Sequence, residues 1–96
     1  MTDMEDYLGR VQAIVWRASD YVSAEAIGRV QRLVDHGEPA EGLCTLAWVI
    51  VNEDLRVPAD IVKDIRTHVT GLVADGFMPA DLEAHIGNGA GSGSDE

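Results

Sequence analysis

Gly37-Glu38-Pro39-Ala40-Glu41-Gly42-Leu43-Cys44-Thr45-Leu46-Ala47-Trp48-Val49-Ile50-Val51-Asn52-Glu53 is the stretch on which the fold turns. Proline has no amide hydrogen and strains a helix arriving from its N-terminal side. In the first turn of a new helix, however, that missing donor would have had no partner anyway. Glu41, two residues further on, meets the free amides and the positive end of such a helix. From Leu43 to Val51 the run is apolar nearly all the way round, the pattern of an element buried on every side. A strand is the competing reading, because the run ends in the β-branched Val49-Ile50-Val51. The proline start and the unbroken length from Pro39 to Glu53 favour a helix, and a central one.

The same X-Pro-Ala-acid box recurs at Val57-Pro58-Ala59-Asp60 and at Met78-Pro79-Ala80-Asp81, so further helices are predicted to begin near Pro58 and Pro79. On the N-terminal side, residues 3–17 place Met4, Leu8, Val11 and Val15 at helical spacing, with Ile14 and Trp16 widening the apolar face. Trp16 is expected in the core. Ser19-Asp20-Tyr21 supplies a turn. Ser23 is a suitable cap for a second helix to His36, with Ala26 or Ile27, Val30, Leu33 and Val34 along one side and Arg29 and Arg32 on another. Gly37 ends that helix by entering the left-handed conformation. Beyond Asp54-Leu55-Arg56-Val57, the helix from Pro58 carries Ile61, Ile65, His68 or Val69, Leu72 and Val73 on one face, with Asp75-Gly76 ending it. Phe77 and Met78 read as a hydrophobic return onto the bundle, and Pro79 to Ile86 as one or two closing turns. From Gly87 onward no apolar residue is large enough to pack. The predicted fold is therefore all-α: a compact bundle of four helices plus a short C-terminal helix. Residues 1–86 form a single helical domain, and residues 87–96 a disordered, Gly/Ser-rich acidic tail.

Seventeen acids against seven Lys and Arg leave a formal charge of −10 on 96 residues, and a pI near 4.4. Nucleic-acid binding runs on phosphate neutralisation by cations, so this balance disfavours DNA, RNA and anionic membrane surfaces and favours a basic partner. An excess of acid that serves only solubility is the plain alternative. Cys44 is the only cysteine, which excludes an internal disulfide. The acidic start, Met1-Thr2-Asp3-Met4-Glu5-Asp6, lacks the basic opening of a signal peptide, and the longest apolar run, Leu46 to Val51, is far too short to span a bilayer. A cytoplasmic protein is expected.

Chemistry-bearing constellations are scarce. His36, His68 and His85 have no neighbouring Cys or His at ligand spacing, so they read as structural or solvated rather than metal-binding. Cys44 sits where a thiolate would be destabilised, and reads as a small buried hydrophobe. Asn52-Glu53-Asp54-Leu55-Arg56-Val57-Pro58 breaks the alternation of a calcium loop, and no glycine-rich phosphate cradle is present. Acyl carrier proteins need a serine directly after an acid, whereas Ser19 and Ser23 follow Ala18 and Val22. No acid and base can be paired from spacing, so neither an enzyme nor a cofactor is expected.

The stretch from Leu33 to Trp48, continuing through Val57-Pro58 to Leu72, resembles the MafI-type family of small immunity proteins from bacterial polymorphic toxin systems. The likeness lies in a helix ending at Gly37-Glu38-Pro39, an apolar helix carrying Leu43-Cys44-Thr45-Leu46, an acidic connection, and an amphipathic helix with a late glycine. The resemblance implies a compact helical domain that binds a cognate toxin protein and blocks it. It fixes no contact residue. On that reading, contacts come from acids that helical spacing leaves outside the core: Asp35, Glu38 and Glu41, then Glu53 and Asp54, then Asp60 and Asp64. The alternative is a non-catalytic adaptor or regulatory protein that docks a partner segment in an apolar groove lined by Trp16, Tyr21 and Trp48.

Overall fold

In the computed structural model, which describes residues 3–87, the chain forms α1 (Asp3–Ala18), α2 (Ala24–Asp35), α3 (Pro39–Asn52) and α4 (Ala59–Val69), followed by short 3-10 turns at Asp75–Phe77 and Leu82–His85. The architecture is an all-α bundle. The decisive stretch is a helix with Pro39 in its first turn, and Leu43, Leu46 and Ile50 on successive turns are fully buried. Each side chain removed from water in this way contributes about 1.5–3 kcal/mol. α3 touches α1, α2, α4 and the C-terminal turn, and is the axis of the molecule. α2 comes especially close at Gly42, where a Cβ would stand 3.1 Å from Val34 Cγ2 and 3.2 Å from the Val30 carbonyl oxygen.

The helix ends follow local chemistry. Ser23 caps α2, its hydroxyl accepting from the Ala26 amide at 3.2 Å. α2 and α3 both finish in Schellman motifs. At the first, the Gly37 and Glu38 amides donate to Val34 and Leu33, with Gly37 at φ 85°. At the second, the Asp54 and Leu55 amides donate to Val51 and Ile50, with Asp54, not glycine, at φ 55°. Leu55 then folds back onto the core.

Several details depart from expectation. α4 stops at Val69 and does not continue through Leu72 and Val73. The Thr70 hydroxyl donates back to the Arg66 carbonyl at 2.7 Å, and Gly71 takes φ 82°, turning the chain five residues before Gly76. Leu72 consequently stands exposed. Pro58 precedes α4 as its cap residue, and Pro79 opens no α-helix: only the 3-10 turn Leu82–His85 follows, behind Asp81. Met78 returns to the core as expected, whereas Phe77 stays outside. Trp16 is 76% exposed. The closing segment is tied down by Val57, whose amide donates to the His85 carbonyl and whose carbonyl accepts from the Gly87 amide at 2.8 Å. Gly87 thus belongs to the domain, and the tail expected to be disordered otherwise lies outside the described residues. Among the described residues, no helix is long and apolar enough to cross a membrane.

Candidate partner-binding surfaces

α3 is apolar nearly all round, yet the bundle leaves one strip of it uncovered. Glu41, Cys44, Thr45 and Trp48 follow each other at helical spacing on that strip; Glu41 and Trp48 are exposed, Cys44 and Thr45 half-buried. The segment after α4 folds alongside. Its Phe77 carbonyl accepts the Trp48 indole N–H at 2.6 Å and the Cys44 thiol at 3.3 Å, which pins the segment while the Phe77 ring stays in solvent. A trough continues from there past Leu72 and Glu38 to Met4 and Tyr7 of α1.

Of the seven large exposed hydrophobics among the described residues, four, Met4, Trp48, Leu72 and Phe77, therefore share one face. Exposed apolar side chains grouped in this way make the face the candidate contact surface. Glu38 and Glu41 lie within it and give it negative charge. Glu41 also acts on Cys44: burial, and then the nearby carboxylate, push the thiol above its ordinary value, so Cys44 is a poor nucleophile at neutral pH.

The seven acids singled out from sequence separate into three places. Asp35, at the end of α2, accepts from the Gln31 amide at 2.9 Å. It shares the α2–α3 corner with Glu38 and Glu41. Glu53 and Asp54 sit at the opposite end of α3, about 18 Å from Glu41 at 1.5 Å per residue. Asp54 lies 2.8 Å from Arg56, whose hydrogen bond and charge hold the carboxyl below the usual range, and 3.4 Å from His85 Nδ1. Asp60 and Asp64, on α4, are both engaged by Arg17 from the end of α1, one on each terminal guanidinium nitrogen at 2.5 Å. These two acids join helices within the chain. Of the seven, only Glu38 and Glu41 are set among exposed apolar side chains.

The groove predicted from Trp16, Tyr21 and Trp48 does not form as one site. Trp48 belongs to the α3 face, while Trp16 lines a separate groove between α1 and α2. Met4, Leu72 and Phe77 had not been singled out as contact residues. Their signal was their place at the edges of apolar patterns, where core and surface residues look alike. The histidines lie apart, His36 and His68 each directing Nδ1 at a carbonyl of its own helix. Among the described residues, no three His, Cys, Asp or Glu are grouped so as to hold a metal ion. No family model, curated protein or solved structure matches the chain.

Proposed function

We propose that this is a non-catalytic cytoplasmic immunity protein that binds a basic toxin protein and neutralises it, through the face built by Glu38, Glu41, Trp48, Leu72 and Phe77. The observation that carries the reading is the coincidence on one surface of apolar anchors and unneutralised acids. Binding energy at interfaces concentrates in a few buried aromatic anchors, while charge around them steers approach and selects partners. A net charge of −10 extends that steering over the whole molecule. The resemblance of Leu33–Leu72 to MafI-type immunity proteins points the same way.

The test is co-expression with the basic toxin encoded beside this gene, scoring survival and co-purification. Wild type should rescue growth, and Glu41→Lys and Phe77→Asp should each weaken the complex at least tenfold while leaving the fold intact. Absence of both rescue and complex overturns the proposal. A second reading, an adaptor that docks an uncharged apolar segment, is favoured by the exposure of Trp16 and Trp48. It predicts a complex indifferent to salt and to Glu41→Lys, whereas the immunity reading predicts one that weakens as salt rises.

A further inference from the structure

The groove between α1 and α2 differs in kind from the acidic face. Gln12, Val15, Trp16, Ile27, Gly28 and Gln31 line it, and no charged side chain does, in a chain with seventeen acids. Gln12 and Gln31 each donate one amide N–H to the other's carbonyl across the helices, at 2.7 and 2.8 Å, and Gln31 also donates to Asp35 at 2.9 Å. Trp16 stands beside this apolar opening, 76% exposed.

Gly28 sharpens the point. A Cβ there would meet nothing within 4 Å, and the residue sits inside α2 with helical backbone. Neither packing nor backbone conformation of the single chain calls for glycine, although alanine is the better helix former. A glycine in that position lets another backbone approach closely. The electrostatics say whose. α2 carries Glu25, Arg29, Arg32 and Asp35 and sums to zero, unlike the molecule as a whole. Arg29 and Arg32 make no ion pair among the described residues. Glu25 lies three residues before Gly28 and Arg32 four after it. Antiparallel alignment of two α2 helices about Gly28 therefore brings each Glu25 to within one residue of the other copy's Arg32, twice over. At these positions the surface is self-complementary in charge.

We propose that the α1–α2 face joins two copies of this chain, α2 crossing α2 at Gly28 about a two-fold axis, with each Trp16 covered by the opposite copy. The acidic face at Trp48 and Phe77 remains open in such a dimer.

Sedimentation velocity on the full chain, from micromolar to millimolar concentration in low and 0.5 M salt, tests the proposal. A monomer–dimer equilibrium is expected that strengthens with salt, because the repulsion between two copies of charge −10 that screening relieves outweighs the exposed Glu25–Arg32 pairs that it weakens. Trp16→Ala and Gly28→Glu should each raise the dissociation constant at least tenfold, and both sites are exposed enough for the thermal melt of the monomer to report that folding persists. A monomer at every concentration overturns the proposal. So does a dimer that survives both substitutions, or one abolished by Phe77→Ala alone. A monomeric chain whose toxin binding depends on Trp16 also overturns it, by assigning the groove to a different protein.

Discussion

Gly28 and Gly37 are nine residues apart and respond oppositely to the same change. At Gly28 the backbone is helical and the space open, so Gly28→Ala should stabilise the monomer by about 0.5–1 kcal/mol. At Gly37 the φ of 85° closes the Schellman motif of α2, and Gly37→Ala should destabilise by about 1–2 kcal/mol. Urea titration of the two variants beside the wild type checks both signs, and equal signs would refute the contrast between an open helical site at Gly28 and a left-handed one at Gly37. The sequence marked Gly37 as a helix end because Glu38-Pro39 follows it. Gly71 carried no such neighbour, and Leu72 and Val73 continued the helical apolar spacing past it, so the later Asp75-Gly76 pair was read as the end. Trp16 was misplaced for another reason. It stands two positions from both Ile14 and Ala18, about 200° around a helix that turns about 100° per residue, so the two buried residues point it outward. Hydrophobicity alone had placed it inside.

At the scale of elements, α1 to α3 were legible by different signals: α1 by its periodic face and the turn after it, α2 by a periodic face between the Ser23 cap and Gly37, and α3 by its proline start and unbroken apolar length. The chain beyond Val69 was not, because its order comes from contacts distant in sequence. Arg66 holds Glu83 through Nε at 2.6 Å and through Nη2 at 2.7 Å, and also donates to the Pro79 carbonyl at 2.9 Å. These bonds fasten the last turn to α4, and Val57 fastens its far end. The Arg66 hydrogen bond lowers the Glu83 pKa below its ordinary 4.5. A carboxyl whose folded value is depressed adds stability that is complete above the unfolded value and is lost as pH falls through the folded one. Acidification below about pH 4.5 should therefore loosen the C-terminal turn. Because Glu83 is half-exposed, the effect on global stability should stay at or below about 1 kcal/mol. Hydrogen exchange at the Val57 and Gly87 amides reads the loosening directly. Glu83→Gln should lower their protection, relative to the intrinsic exchange rate, at pH 7 and remove the change in that protection with pH. Protection at these amides that is indifferent to both pH and Glu83→Gln would show that Val57 alone holds the segment.

For the whole molecule the governing quantity is charge. Among the described residues, three of the seven cations, Arg17, Arg56 and Arg66, are occupied by acids within the chain, and each of these pairs is at least partly exposed. Exposed pairs contribute little, whereas a net charge of −10 on so small a body opposes compaction everywhere at once. Salt screens both terms, and the repulsive one is the larger. Raising ionic strength from about 0.01 M to about 0.5 M should therefore stabilise the free monomer. If the relief amounts to about 1 kcal/mol, the melting temperature rises by roughly 4–8 °C for a domain of this size. Binding to a basic partner must respond in the opposite sense, since the field that strains the free protein is the one that attracts the partner. Melting curves of Trp16→Ala, in which the proposed self-association is removed, separate the intramolecular effect from dimer formation. A melting temperature that falls with salt in this variant would mean that the ion pairs at Arg17 and Arg66 outweigh the repulsion. The acidic surface would then be part of what holds the helices together, and could not be held in reserve for a partner.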